Sequence, residues 1–546
     1  MSPPNFYKPR FFDSGLFFKL VLYNFLMKKW IFIFLILPFV TYSQQIDLEK
    51  FPYKSSIINY FQLKKKYKYS IDSLKTGYST LQYHSFSSKG QFIKVNHQQY
   101  FSDFILFNID FDKFSQEGIF NRENLNLHNV KTNLLFKNKS NSFIAQLRLT
   151  YQKVFMQENG GISNYSNYNF DDPLLYEVNL LSAQNNLKNR NHLLIKKIKL
   201  NDELSIINEL SFLSKRRNYI DELPNSGFYQ NIYLDSNQTS DSISNILLNN
   251  SFGIKYDNFT LNQLIHYRKS YNNFTDSTDN DYGLSLNFNK NKIEFKTEIY
   301  RSKHFELNFL KKFNLKSSNH VLSLDYQRFR VPILINSYLS NNYNFNNNFL
   351  FTKTAKSTYI FKYKNHLLKS KLILYSNYIY IDENSHYQQL SNNILNWTNK
   401  WEVQFKWRKI NYKHSLEYNF TDNKYVIRLP KFNYKSSFWL QLSLFDNNLN
   451  TSFGFDFNYF NSYFAMAYNP ALAQYHLQST QLIGDFPLVS PFLSMKVNEM
   501  FISMKYRNLL SLVSSNNDEY YLLPNYPYYS GTLQLSLIWK LNNFSN

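Results

Sequence analysis

The side chains that most often carry chemistry are few and scattered in this sequence. It has 11 His and no Cys, which excludes thiol nucleophiles, disulfides and thiolate-ligated zinc or iron–sulfur sites together. No two histidines follow the His-x-x-x-His or His-Glu-x-x-His spacing that aims two imidazoles at one metal. His414-Ser415 with Glu417, and His476 with Ser479, come nearest to pieces of a hydrolase triad. On a strand, consecutive residues point to opposite faces, so His414 and Ser415 cannot line one lumen, and a surface histidine is the favoured reading. Gly160-Gly161 lacks the Lys-Ser/Thr and helix of a phosphate loop and reads as a turn. No catalytic, cofactor or metal site is expected.

What does recur is charge at alternate positions. Arg148 lies between Leu147 and Leu149, and Glu294, Lys296 and Glu298 alternate with Ile293, Phe295, Thr297 and Ile299. Glu402, Lys406 and Arg408 alternate with Trp401, Val403, Phe405 and Trp407, and Glu417 follows Leu416. If the apolar neighbours face lipid, these charges face an enclosed lumen, where rings of charge set ion selectivity. Mixed signs on one face equally suit salt bridges that stiffen a wall. The basic excess favours a mild anion preference.

Only strands can position side chains this way, and period-two alternation dominates beyond residue 75. Phe143, Ala145, Leu147, Leu149 and Tyr151 share one face, with Gln146, Arg148, Thr150 and Gln152 on the other. Leu284, Leu286 and Phe288 pass through Asn289-Lys290-Asn291 into Ile293, which reads as a hairpin. A second hairpin joins Phe438 to Tyr459 through Asp446-Asn447-Asn448, and Leu533 to Leu541 forms a last alternating segment. Alternation alone also fits a soluble sandwich. Segments of about 9 to 13 residues instead match strands tilted across hydrocarbon, and aromatics at segment ends, such as Trp401 with Trp407, match interfacial girdles. Strands in lipid must close on themselves, because an unpaired backbone group there costs several kcal/mol. The expectation is an all-β, transmembrane, antiparallel up-and-down β-barrel of about 16–20 strands, with about 18 strands of about 10 residues as the best fit.

Composition narrows the alternatives. Of 546 residues, 19% are aromatic and 18% charged, with 52 Phe and 45 Tyr, so the chain has apolar surface enough to order itself. A mean hydropathy of −0.45 and a single long apolar run argue against a helical membrane protein. The net charge of +22 is spread along the chain, with Lys64-Lys65-Lys66 its tightest cluster. No nucleic-acid partner is expected, and the Lys and Asn usage is read as base composition of the coding sequence.

Met27-Lys28-Lys29-Trp30, the apolar run Ile31 to Val40 and Thr41-Tyr42-Ser43 are the parts of a secretory signal peptide. Residues 1–26 read as a start-site extension, 27–43 as the signal peptide, 44–74 as an N-terminal periplasmic segment and 75–546 as the barrel. Export through the Sec pathway to the outer membrane of a Gram-negative cell follows.

Glu158-Asn159-Gly160-Gly161, Lys188-Asn189-Arg190, Gly484-Asp485-Phe486-Pro487-Leu488-Val489, Pro491 to Val497, Phe501 to Asn508 and Pro524-Asn525-Tyr526-Pro527-Tyr528 before a final alternating strand resemble the putative-porin family of Bacteroidetes outer membranes. One departure is the terminus, where Phe544 is followed by Ser545-Asn546; this implies a closing strand that ends near Trp539 or Leu541. The resemblance implies a channel for passive or weakly selective diffusion of small hydrophilic solutes. Its partners would be outer-membrane lipid, those solutes, the barrel-assembly machinery and a second copy in a homo-oligomer. The rivals are a non-channel barrel acting as surface adhesin or anchor, and an outer-membrane hydrolase. A TonB-dependent transporter is disfavoured, since its plug and larger barrel call for more chain.

Overall fold

A strand with one face for lipid and one for the interior still needs partners for its backbone along both edges. In the computed structural model, which describes residues 77–86, 89–163, 173–272, 276–301, 307–512, 521–527 and 531–542, closure meets that need. A 22-stranded sheet runs from Tyr78–Phe86 to Thr532–Asn542, each wall strand antiparallel to the next. The last strand pairs with the first, Leu81 opposite Trp539 and Tyr83 opposite Leu537. The expected barrel class is observed, but the strand number of 16–20, centred on 18, is corrected to 22. That expectation assigned too much chain to connections. Several are only two to five residues, such as 103–104, 257–258, 291–292 and 408–409, and the chain thus saved goes into the wall.

Wall strands reach 18 residues at Leu204–Asp221 and Thr239–Tyr256, longer than hydrocarbon requires. The surplus extends beyond the bilayer and carries the loops. Large apolar side chains at alternate positions stay exposed on the outward face, among them Leu147, Leu149, Leu284, Leu286, Phe453 and Phe455, which is what a lipid-facing surface shows. The closing strand ends at Asn542, one residue beyond Leu541. Residues 1–26, 27–43 and 44–74, with the proposed signal peptide, lie outside the described residues.

The two ends of the cylinder differ in their connections. One end holds short turns and the outer ends of the first and last strands; barrels of this kind place such an end in the periplasm. Its turns use left-handed backbone at Asn141, Asp257, Asn291, Lys364, Asn447 and Asn498, with φ between 44° and 68°. Asn and Asp tolerate that region through local hydrogen bonds, so a chain with only 12 Gly can still turn tightly. The opposite end carries the long loops 158–183, 222–238, 330–351, 377–393, 461–487 and 508–531.

Among the described residues, two packed apolar clusters lie where those loops meet one another. Leu180, Ala183, Tyr219, Tyr229 and Ala471 form one buried cluster, and Tyr338, Phe345 and Leu472 form another. Each fully buried large side chain contributes about 1.5–3 kcal/mol, so the loops hold one another in place.

Candidate functional site

The inner face of the wall is largely polar because many outward apolar residues are flanked by inward polar ones. Between Leu147 and Leu149, Arg148 donates to Gln146 at 3.0 Å, and Gln146 donates to Asn133 on the next strand at 2.6 Å. In Ile293–Arg301, Lys296 is ion-paired with Glu298, which also accepts from the Tyr300 hydroxyl. Glu294 accepts from Asn314 at 2.9 Å and lies 3.9 Å from Lys316. Glu402 is ion-paired with Lys400, and Lys400 stands opposite Glu417 in the neighbouring strand. Glu417 accepts from Asn419 at 3.3 Å. Lys406 is exposed near the short-turn end.

Arg408 occupies a different place. It has φ 51° in the turn 408–409, with its guanidinium 5.7 Å from the Trp407 ring. A left-handed turn residue at the rim does not line a wall, so the alternation that suggested a lumen position for it ends one residue earlier. The remaining charges form two local groups, Glu294, Lys296 and Glu298 on one and Lys400, Glu402 and Glu417 on the other. Arg148 stands on the strand directly across the cylinder from Glu402. Lys296 with Glu298 and Lys400 with Glu402 are local ion pairs, Arg148 bonds a neutral amide, and the charges are not drawn into one ring.

His414 is on the outward face, 4.8 Å from the Trp401 ring centre and within 3.2 Å of the Tyr412 hydroxyl, while Ser415 and Glu417 take the other face. His476 donates from Nδ1 to the Leu477 carbonyl at 2.8 Å, whereas Ser479 donates to Glu383 at 2.6 Å. Neither histidine is bonded to its neighbouring serine. Among the described residues no group of three His, Asp or Glu side chains is placed to hold a metal ion.

Sequence reasoning passed over the long-loop end, where the loops fold into the mouth. Arg217, on the inner face near the end of Leu204–Asp221, donates from Nε to Asn185 at 2.8 Å and from its terminal nitrogen to the carbonyls of Pro470, at 2.9 Å, and Ala471. Asn185 in turn donates to Glu158 at 2.8 Å and to Pro470 at 2.9 Å, and the Tyr468 hydroxyl reaches Glu158 at 3.2 Å. Asn341, 3% exposed, joins two loops. Its amide donates to the Asp235 carbonyl at 2.9 Å and to Thr239 at 2.8 Å, its side-chain oxygen accepts from the Asp235 N–H at 2.8 Å, and its own N–H donates to Asp241 at 2.9 Å.

The Tyr229 hydroxyl donates to Asp221 at 2.6 Å and lies 2.5 Å from the Tyr219 hydroxyl. Burial, with the Tyr219 and Asp221 groups beside it, pushes the Tyr229 hydroxyl far above its ordinary range, so it remains a proton donor. Gly160 and Gly161 have φ 68° and 84°, and a Cβ on Gly161 would stand 2.6 Å from that of Asn525. This Gly-Gly pair is therefore where one loop passes against another. Its presence, together with the Ser340-Asn341-Asn342 run in a connection too long for a turn, was the available sequence signal.

Beneath the loops is a cavity of about 540 Å³. Lys215, Arg217, Asn189 and Asn245 line it from the wall, and Tyr338, Tyr380, Tyr387 and Tyr475 from the loops. Burial pushes the Tyr387 hydroxyl up to about 12, so this lining offers neutral phenols and fixed cations. The arrangement is a wide polar tube whose outer mouth is narrowed by a self-packed layer of loops.

A family model described as putative porin matches residues 41–543. No curated protein matches the chain. Among solved structures, the ferric enterobactin receptor PfeA of Pseudomonas aeruginosa is 9% identical with a TM-score of 0.60, over 86% of this chain and 82% of that one. The FrpB iron transporter of Neisseria meningitidis is 9% identical, TM-score 0.58, over 86% and 83%. BauA, the ferric preacinetobactin receptor of Acinetobacter baumannii, is 10% identical, TM-score 0.53, over 86% and 80%. At such identities the likeness is one of fold.

Proposed function

The chain belongs to the putative porin family, and from that premise we propose that it is an outer-membrane channel through which small hydrophilic solutes diffuse passively or with weak selectivity. The observation that carries the reading is the closed wall with a largely polar inner face, some of whose charges are paired locally. Solutes cross a surface that presents hydrogen-bonding groups and, where its charges are paired, does not bind them tightly. Twenty-two strands enclose a lumen too wide for wall side chains to fill. The infolded loops, and the phenol-lined cavity under them, therefore set which solutes pass. The chemistry is diffusion, without a covalent step.

The reading includes export by the Sec pathway on residues 27–43, insertion by the barrel-assembly machinery and packing against outer-membrane lipid. A homo-oligomer is compatible with it. Single-channel recording of refolded protein in planar bilayers tests the proposal: discrete conductance steps are expected, with reversal potentials in a salt gradient showing mild anion preference. Cation preference would remove the selectivity part of the reading. Absence of any conductance would favour the second reading, a surface anchor or adhesin with a blocked lumen, for which the mutual packing of the loops is the specific observation.

A further inference from the structure

The outward wall facing lipid is not uniformly apolar. On the strands Ile105–Gln116, Leu125–Lys137, Phe143–Gln157, Gln184–Lys199 and Leu204–Asp221, one cationic or ionisable basic residue stands opposite the next in direct register. Lys113 pairs with His128, His128 with Lys153, Lys153 with Lys188 and Lys188 with Arg216. Arg190 lies two residues from Lys188 on the same face. Directly opposed residues on neighbouring strands have Cβ atoms about 4.5–5.5 Å apart, and like charges so placed repel. Lys113, Lys153, Lys188, Arg190 and Arg216 are nonetheless exposed, and His128 is half-buried.

Nothing on this face relieves the repulsion. The outward positions of these strands contain no Asp or Glu; the acidic residues there, Asp110, Asp112, Glu209 and Asp221, alternate onto the inner face. Among the described residues, Lys113, Lys153, Lys188 and Arg190 have no ion-pair partner, and Arg216 reaches only Asn218, at 3.3 Å. The row also has a definite height. It lies a few residues inside the strand ends that lead into the long loops, and the outward residues towards the short-turn end are Ile109, Phe111, Val130, Leu147, Leu149 and Tyr151. The cations therefore sit on the outer edge of an apolar band, at the level of lipid headgroups rather than in bulk water, with lysine stems able to lie along that band. At the same edge of the strands 394–460, the outward positions hold Tyr418, Phe420, Phe432 and Tyr459 instead.

We propose that this row, centred on Lys153, Lys188 and Arg216 with Lys113, His128 and Arg190 beside them, is a docking site for the phosphate groups of an outer-leaflet glycolipid. Phosphate monoesters carry close to two negative charges and several acceptor oxygens, and arginine and lysine satisfy them by forked and point-charge contacts respectively. The acyl chains of the same lipid lie against the apolar band. One headgroup thus screens repulsion between cations of adjacent strands and fixes the barrel's height in the membrane.

The test uses the full-length refolded protein in detergent, with bisphosphorylated lipid A as probe and retained lipid read by native mass spectrometry. Wild type is expected to retain lipid A, with retention falling steeply as sodium chloride rises. The combined variant Lys153→Gln, Lys188→Gln, Arg216→Gln is expected to bind at least tenfold more weakly, while Lys196→Gln, outward at the other end of its strand, is expected to bind as wild type. Dephosphorylated lipid A should bind wild type no better than lipid A binds the combined variant, and inorganic phosphate at matched concentration should fail to displace the lipid. Equal retention by the combined variant, equal binding of the dephosphorylated lipid, or full displacement by inorganic phosphate each overturns the assignment. Should the combined variant not fold, as judged by loss of the gel-mobility shift on boiling, the salt and dephosphorylation arms on wild type still decide it. Conductance is read separately, so failure here and failure of the channel reading are distinguishable.

Discussion

The two ends of this cylinder reverse the chain by different physics. At the short-turn end each reversal is closed by neighbours in sequence: Asn291 and Asn447 take left-handed backbone, and the flanking strands pair at once, Lys290 with Ile293 and Leu444 with Leu449. At the long-loop end short local hairpins, such as Tyr378–Ile381 with Tyr387–Leu390 and Ala467–Asn469 with Gln474–His476, are tied to segments far away in sequence. Tyr468 bonds Glu158 across 310 positions of sequence, Arg217 bonds Pro470 across 253, and Asn341 bonds Asp235 across 106. The first end is an assembly of independent turns and the second a cooperative layer. A perturbation should therefore remain local at one end and spread at the other.

The largest break of that contrast is expected from Arg217→Ala. Loss of charge-assisted hydrogen bonds to Asn185, Pro470 and Ala471 takes this donor from partly buried acceptors, of which the Pro470 carbonyl keeps Asn185, a cost of about 2–4 kcal/mol to docking of the 461–487 loop. Hydrogen exchange should accelerate in 461–487 and in 158–183 together, with single-channel conductance rising. Unchanged exchange in 158–183 would mean that the loops are not one layer. Asn341→Ala comes next. It removes the partner of part-buried backbone groups of Leu234, Asp235 and Gln238 at about 1–3 kcal/mol, which limited proteolysis of that loop should register while the wall keeps its resistance to heating in detergent.

Asn291→Ala supplies the opposite arm. Alanine at φ 49° is disfavoured by about 1 kcal/mol, so slightly slower refolding is expected, with no change in loop exchange or conductance. Any effect on the loop layer would erase the distinction between the ends.

The smallest effect is one of pH. Burial holds His476 below its ordinary value of 6.5, so the loop layer favours the neutral ring. Its contribution is complete above about pH 6.5 and is lost as pH falls below that, through the lowered value, because protonation then occurs more readily in the undocked loop. Exchange in 461–487 should rise modestly on acidification, and His476→Gln should flatten that dependence.

Much of the short-turn end was legible from residue types. Asn289-Lys290-Asn291 and Asp446-Asn447-Asn448 between alternating segments named their own turns, and Leu147 and Leu149 against Gln146 and Arg148 named the two faces. Arg408 shows where that reading stops, since alternation gives the face of a strand residue but not the residue at which the strand ends. Strand number escaped for a related reason, because segment length alone does not say how little chain a turn consumes. The loop layer was nearly illegible. Glu158, Asn185 and Arg217 are ordinary polar residues in the sequence, and only their meeting gives them a role.

Periodicity of two, the absence of cysteine and the placement of turn-forming Asn and Asp determined that this chain forms an antiparallel wall with one greasy and one polar face, because those properties depend on residues within a few positions of one another. Closure at 22 strands, the basic row assembled from separate strands and the filling of the outer mouth were decided by tertiary structure. Each depends on groups brought into register or contact across long stretches of chain, where pairing and burial, rather than local preference, set the free energy.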